Sequence, residues 1–190
     1  MRNIPVLCLL FVASCLGCQS QTHAAVNAAK VQTEPIPTTK MEAFHPVEGS
    51  VVTLGYDEIP TGVRKVTLDA RQLKSSDGSS VKGMKIEISE GDYKQEAVFI
   101  DMDELPELIH AIDVLAAISS NPTQSTSFEV RYTSRGSLQL TAFNQANGQI
   151  SYAIQVGRIT KAQTFTEVRG MQSLKQAFMA ARLKLDTLPK

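Results

Sequence analysis

The sequence predicts an α+β fold of two pseudo-repeated β4α units, each with an antiparallel sheet and one amphipathic helix. Short runs of alternating apolar and polar residues, bounded by turn residues, begin at Val51 and twice give way to a helical pattern. The second set of runs follows the first at a constant offset of 66 residues, as from Met84 to Ile150. This constant offset indicates an internal duplication.

The N-terminus precedes the predicted domain and has the pattern of an export signal. Arg2 makes the start of the chain positive, and Ile4–Ala13 is almost wholly apolar. That apolar run has the length of a signal-peptide core and is too short to span a bilayer as a helix. Residues 1–14 are therefore predicted to form a signal peptide.

The cysteines indicate how the protein is anchored after export. All three, Cys8, Cys15 and Cys18, lie in the leader, so no disulfide framework is expected in the domain. Val12-Ala13-Ser14-Cys15 resembles the lipobox of bacterial lipoproteins, in which a branched apolar residue and small residues precede the acylated cysteine. The resemblance implies lipidation of Cys15, with Cys18 as the alternative. Two or three acyl chains would anchor the protein firmly, whereas single chains hold only marginally.

The same resemblance implies a location in the bacterial cell envelope, outside the cytoplasm and attached to a membrane through the lipid anchor. Neither Cys15 nor Cys18 is followed by Asp, which favours the outer membrane if the source is Gram-negative. Two alternatives remain open. One is an ordinary secretory signal cut near His23–Ala25, and the other is a cytoplasmic protein with a chance apolar start.

A flexible tether is predicted over residues 15–45. From Gln19 onward this stretch is rich in Gln, Thr, Ala and Pro and lacks sustained apolar periodicity. Such a segment buries too little apolar surface to offset the entropy of ordering it. The soluble domain is therefore expected at 46–190, with halves at about 46–123 and 124–190.

The first half predicts four strands and a helix. The strands are expected at Val51–Tyr56, at Val63–Ala70, around Met84–Ile88 and at Ala97–Ile100, with Ser75–Ser80 as a loop. One face of the helix carries Leu105, Leu108, Ile109, Ile112, Leu115 and Ala116. We expect Asp103 to cap this helix, and Pro106 lies in the first turn, where the missing N–H does little harm.

The second half repeats the pattern. Its strands are expected at Phe128–Tyr132, Leu138–Phe143, Ile150–Ile154 and Thr164–Val168, with Asn147–Gly148 as a hairpin turn. A last helix is predicted from about Met171 to Leu188. Its apolar seam consists of Met171, Leu174, Phe178, Ala181, Leu185 and Leu188, at coiled-coil-like spacing. We expect this seam to pack on its own sheet, and contact with a protein partner or a second copy is the alternative.

The duplicated order resembles the whirly-type fold, the single-chain relative of the dimeric PC4-type domain that binds single-stranded DNA. The resemblance covers roughly residues 50–188 and lies in element order. The Lys-Gly-Lys-Ala-Ala-Leu type motif of plant whirly proteins is absent, and Val81–Lys85 matches it poorly. No functional residue is therefore carried over, because a fold does not by itself imply a function.

Charge is distributed unevenly along a chain that is neutral as a whole. Residues 46–123 contain 7 Lys/Arg and 14 Asp/Glu, and residues 124–190 contain 9 and 3, giving net charges of −7 and +6. A basic second half predicts, as one alternative, binding of a polyanion such as single-stranded nucleic acid or an acidic glycan. The candidate residues are Arg131, Arg135, Arg158, Lys161 and Arg169. The competing interpretations are complementary surfaces between the halves, or ordinary solvated faces.

No motif predicts catalysis, a cofactor or a metal site. The carboxylates at Asp101, Asp103, Glu104 and Glu107 suggest either Ca²⁺ or favourable helix-start electrostatics, and the EF-hand spacing is missing. His110 lies on the predicted first helix without identifiable partners. We expect a lipid-anchored envelope protein with a non-catalytic binding or scaffolding domain, with the polyanion binder second and an unrecognised hydrolase third.

Overall fold

The computed structural model describes residues 38–91 and 94–189, which fold into two repeated β4α units. The first consists of β1 (Val52–Ile59), β2 (Val66–Ser75), β3 (Ser80–Glu90), β4 (Lys94–Asp101) and α1 (Leu105–Ala116). The second consists of β5 (Glu129–Thr133), β6 (Gln139–Asn144), β7 (Ile150–Val156), β8 (Ala162–Thr166) and α2 (Val168–Thr187). Each antiparallel sheet has its strands in chain order. The predicted α+β fold with two repeated units is confirmed.

One apolar core lies between the inner faces of the two sheets and the two helices. Alternate strand residues point into it because successive side chains of a strand face opposite sides. Members that are fully buried include Leu68, Met84, Ile86, Ile88, Leu105, Leu108, Ile112, Leu138, Leu140, Ile154, Leu174 and Phe178. Burying each such side chain contributes roughly 1.5–3 kcal/mol before conformational entropy is considered.

Each helix packs mainly on the sheet of the other half. Apart from their contact with each other, α1 packs mainly on β5 and β6 of the second sheet, whereas α2 packs most extensively on β2 of the first sheet and less on β7 and β8 of its own. The α2 seam is buried from Met171 to Leu185, as predicted. We expected the seam to pack on its own sheet, and this is wrong for the main contact of α2 with a sheet, which is with β2 of the first half. Helical periodicity identifies the buried face but does not specify which sheet covers it.

The repeat extends to backbone conformation. Gly91 and Gly157, which the offset of 66 residues makes equivalent, each follow the third strand of their half. Both have positive φ angles, 70° and 107°, in a region that glycine occupies without steric cost. The duplicated position is therefore a turn that requires the same backbone geometry twice.

The predicted strand at Val63–Ala70 is shifted in the structure. Gly62 and Lys65 both have positive φ angles (66° and 68°), and this turn delays the start of β2 to Val66. The strand then continues to Ser75 because it pairs with β1 on one side and β3 on the other. Ladder hydrogen bonds on both sides thus extend β2 through residues whose alternation is weak.

The start of α1 differs from the prediction. Glu104, not Asp103, occupies the N-cap position, and its side chain makes no capping hydrogen bond. Asp103 instead forms ion pairs with Lys40 at 3.1 Å and with Arg135 at 2.6 Å. Two nearby cations thus engage the carboxylate that was expected to cap the helix. Pro106 lies in the first turn, as predicted.

The domain begins earlier than the predicted boundary at residue 46. Residues 38–43, which we call the N-terminal clamp, fold into a turn in which Ala43 N donates to Thr39 O at 2.9 Å. Thr39 and Met41 are buried, at 2% and 5% exposure. Met41 packs over Gly83, where a Cβ atom would lie 2.7 Å from Met41 Cγ. The end of the predicted tether 15–45 is therefore part of the fold.

The predicted signal peptide, the two candidate lipidation cysteines Cys15 and Cys18, and the tether up to residue 37 lie outside the described residues. Within the part of the chain that the structure describes, neither helix is long and apolar enough to cross a membrane.

Candidate binding surfaces

The N-terminal clamp contacts both halves of the domain. Its Lys40 N donates to both carboxylate oxygens of Asp101 at 3.0 Å, and Asp101 is only 1% exposed. Thr38 Oγ1 donates to the main-chain oxygen of Arg135 at 2.7 Å. Glu42 forms an ion pair with Arg158 at 2.6 Å. The end of the β4 strand and two turns of the second sheet are thus held by one short segment.

Arg135 lies at the centre of this junction. Its guanidinium is 2.6 Å from Asp103, 3.7 Å from Glu104 and 3.8 Å from Asp101. Hydrogen bonds from Arg135 and Lys40 hold the pKa of Asp103 below its usual range. Arg135 therefore neutralises acidic groups at the start of α1, which explains why so many carboxylates can lie close together there.

Glu104 is the most constrained of these carboxylates. Burial raises its pKa, although the hydrogen bond that Arg135 N donates to its Oε1 at 2.6 Å acts in the opposite direction. Its Oε2 atom is buried and has no hydrogen-bond partner among the described residues. No group of three or more metal-ligating side chains occurs within 38–91 and 94–189. The carboxylates beside α1 thus contact protein cations.

The ion pairs that join the two halves all have the same polarity. Besides Arg135 with Asp103, Lys175 pairs with Asp113 at 2.6 Å, and Lys184 pairs with Asp57 at 3.5 Å. In each pair the base belongs to the second half and the acid to the first. These contacts support the interpretation that the opposite net charges of the halves are complementary within the molecule.

The five candidate polyanion-binding residues do not form one patch. Arg135, Arg158 and Lys161 lie in the β5–β6 and β7–β8 turns, which share one end of the antiparallel sheet. Arg131 faces outward from β5 and pairs with Glu129 at 2.8 Å. Arg169 is in the first turn of α2, beyond the opposite end of β8. Three of the five candidates also carry a carboxylate partner.

The aromatic residues near those bases in the sequence are similarly divided. Tyr152 is in the core at 2% exposure. Tyr132 is half-buried, and burial together with the charges of Glu104 and Glu107 raises its pKa to about 12. Phe143 faces outward and meets Phe165, with the ring centroids 6.1 Å apart at 74°.

Phe165 is a surface residue that sequence reasoning did not single out as a binding candidate. Its ring is 60% exposed on the outer face of the second sheet. The register Arg131–Thr141–Ala153–Phe165 runs across β5 to β8 and places Phe165 on the same face as Arg131. Its equivalence with Phe99 under the 66-residue offset was a signal of duplication and said nothing about exposure.

The edge strand of the first sheet exposes several apolar side chains. We call β1 together with Val51 the β1 edge. Apolar side chains on its outer face are exposed, Val52 at 41%, Leu54 at 44% and Tyr56 at 64%, and the preceding Val51, which alternation directs to the opposite face, is 71% exposed. Within the described residues β1 pairs with β2 alone, so its other side presents unpaired backbone groups.

Neighbouring strands extend this apolar surface. Leu54 is opposite Leu73, and Leu73 is opposite Val81. Tyr56 is opposite Arg71, whose guanidinium carbon lies 5.7 Å from the centre of the tyrosine ring. Residues 52–59 contain no Lys, Arg or Pro, and their charges, Asp57 and Glu58, lie near the end of the strand. Charged residues and Pro commonly protect edge strands from pairing, so such protection is missing only from the apolar part of the β1 edge, residues 52–56.

A second apolar surface is a groove between α1 and α2. The groove has a volume of about 590 Å³ and is lined by Ile109, Met179 and Leu183, among others. Met179 and Leu183 are 45% and 69% exposed, and neither belongs to the predicted α2 seam. A contact with another protein through α2 would therefore use this other stripe of the helix, because the seam itself is buried.

Comparison with known protein families and with characterised proteins finds no match.

Proposed function

We propose that this chain is a lipid-anchored protein of the bacterial cell envelope whose extracytoplasmic domain is a non-catalytic binding module. The β1 edge is its binding surface, and the ligand is an extended segment of a protein. The single observation that carries this proposal is a row of exposed apolar side chains on an edge strand that, among the described residues, is paired on one side only.

Strand addition accounts for both features of that edge. An added strand supplies hydrogen-bond partners for the unpaired N–H and C=O groups of β1, while its side chains cover the flanks of Leu54 and Tyr56. Contiguous exposed apolar surface on a soluble domain commonly marks an interaction site. Polyanion binding has weaker support, since Arg131, Arg135 and Arg158 already contact carboxylates.

The anchor is supported by the lipobox-type sequence before Cys15, with Cys18 as the alternative, and in a Gram-negative source the outer membrane is favoured. The N-terminal clamp would connect such an anchor to both halves of the domain. Any tether that ends at residue 37 would continue into a segment that both halves bind, so tension from the membrane would be shared between them.

The anchor is tested by labelling cells with radioactive palmitate. We expect Cys15→Ala to abolish labelling and Cys18→Ala to preserve it, because only the acceptor thiol carries the diacylglyceryl group. The reverse pattern would assign Cys18. Labelling that survives both single replacements would refute the lipoprotein part of the proposal.

The binding surface is tested by placing a photoreactive amino acid at position 54 in the full-length protein in cells. We expect a discrete cross-linked protein at position 54 that disappears when Tyr56→Lys is added. Position 183 is the matched control, because Leu183 is also exposed and apolar but lies in the helix groove. Absence of an adduct at 54, or the same adduct from both positions, would contradict the proposal.

A further inference from the structure

We infer that the strand bound by the β1 edge is β1 of a second copy of this chain, so that the protein forms a homodimer through one continuous eight-stranded sheet. This inference rests on the proposed function, since it names the partner of the same surface. An isologous contact of this kind closes at two subunits, because each copy uses its single β1 edge.

The pairing register follows from which side chains share a face. Residues directly opposite each other in an antiparallel pair lie on the same face of the sheet. A two-fold axis at Gly55 pairs residues that lie on the same face and places Leu54 opposite Tyr56 of the second copy. Each dimer then contains two such apolar cross-strand pairs, built from side chains that are 44% and 64% exposed in the single chain.

The residue at the axis suits this arrangement. A Cβ atom built on Gly55 would meet only Gln72 O, at 4.0 Å, so packing within the chain does not require a glycine there. A glycine inside a strand often marks close approach of another backbone. The two-fold axis brings Gly55 of each copy to this closest approach.

Electrostatics are compatible with the same register. It places Glu58 opposite Val52 and Asp57 opposite Thr53 of the second copy, so no carboxylate faces another. Asp57 also pairs with Lys184 of its own chain at 3.5 Å. The whole chain carries no net charge, so two copies do not repel each other as net charges.

The neighbouring register is poorer. Centring the axis on Tyr56 would place Leu54 opposite Glu58 and Gly55 opposite Asp57 of the second copy. Both registers thus place an apolar side chain opposite Glu58, but the Tyr56-centred one keeps a single apolar pair, Tyr56 with its counterpart, where the Gly55-centred one has two. Cross-strand partners determine much of sheet stability, and the Gly55-centred pairing is therefore better than the Tyr56-centred one.

The dimer is tested by sedimentation equilibrium of the full-length protein in a mild detergent. We expect twice the mass of one chain for the wild type. Leu54→Lys and, separately, Tyr56→Lys should each weaken association by about tenfold or more, because they place a charge in the paired surface. Leu183→Lys should leave the dissociation constant unchanged, because this leucine is also exposed, at 69% against 44% for Leu54, but lies outside the β1 edge. Circular dichroism checks that each variant is folded.

The register is tested by mild oxidation of single-cysteine substitutions. Gly55→Cys should give a covalent dimer, because the two thiols meet at the axis. Thr53→Cys should not, because its counterpart in the second copy lies four positions away, too far for a disulfide. The wild type, whose cysteines are Cys8, Cys15 and Cys18, gives the background.

A wild-type protein that stays monomeric at every concentration, or a dimer unaffected by Leu54→Lys and Tyr56→Lys, would overturn the inference. A monomer that still gives a discrete adduct with a different protein at position 54 would overturn the second copy as partner and leave the proposed function standing. Failure of both experiments would remove the binding role of the β1 edge altogether.

Discussion

At the junction of the two halves, Glu42 links the N-terminal clamp to the second sheet. Burial alone would raise its pKa, but the N–H groups of Thr38 and Thr39 and the guanidinium of Arg158 outweigh burial and hold the pKa below 4.5. A group with a depressed pKa in the folded state stabilises the fold above its unfolded pKa and loses that contribution as the pH falls. The clamp is therefore sensitive to acid.

Replacing Glu42 by Gln tests this link. We expect Glu42→Gln to lower the free energy of unfolding by roughly 1 kcal/mol at pH 7, because it removes charged hydrogen bonds at a partly buried site. The difference from wild type should shrink as the pH falls from the ordinary glutamate pKa of 4.5 through the lower pKa of folded Glu42, where the wild-type carboxyl takes up a proton. Urea unfolding at a series of pH values measures it.

The control for this prediction is Glu129→Gln. The ion pair of Glu129 with Arg131 is about half exposed, with side-chain exposures of 61% and 52%. Its removal should change stability by less than about 0.5 kcal/mol. A Glu42→Gln deficit that is identical at pH 3 and pH 7 would show that the effect is not due to the charge of Glu42.

The clamp also shows why sequence reasoning placed the domain boundary too late. Met41 lies in a short, proline-flanked stretch where Ala43 and Phe44 are its nearest apolar neighbours, too few to give a periodicity that marks it as buried. Its burial depends on a gap over Gly83, which is distant in the sequence. Likewise, the acidic residues at 101–104 predicted helix-start chemistry, but Arg135, which the fold brings beside them, engages these carboxylates instead.

Among the elements, the strands and helices were predictable in kind because alternation and 3.6-residue periodicity report directly on burial. The buried faces of α1 and α2 agree with the sequence pattern at Leu105, Leu108 and Ile112 and at Leu174 and Phe178. Which sheet each helix covers was not predictable, because both sheets present similar apolar faces. The crossed helices make each half depend on the other for its core.

Replacing Leu108 by Ala tests this dependence. Leu108 is fully buried on α1, so the cavity should cost about 2–5 kcal/mol. Because α1 covers β5 and β6, hydrogen exchange should accelerate in the second sheet as well as in the first. Mass spectrometry of the exchanging protein measures both sheets together.

Val114→Ala on the same helix is the control, since Val114 is 48% exposed. It should leave exchange in both sheets nearly unchanged. If Leu108→Ala accelerates exchange only within residues 52–116, the two halves unfold separately and the crossed packing does not couple them.

At the scale of the whole molecule, some of the opposite charges of the halves join them. Arg135, Lys175 and Lys184 contact acids of the first half. The sequence alone could not distinguish this role from a polyanion site, because net charge does not reveal which side chains face each other. The same limit applied to β1, whose apolar residues predicted a strand but not its position at an unpaired edge.

We expect the β1 edge to be occupied by another strand when the protein functions. Hydrogen exchange of residues 51–59 in the full-length, membrane-bound protein measures this occupancy, with Leu54→Lys as the comparison. Wild-type β1 amides should be protected on both sides of the strand, and the substitution should release those facing away from β2. Equally fast exchange of these outward amides in both proteins would mean that no strand is added to β1.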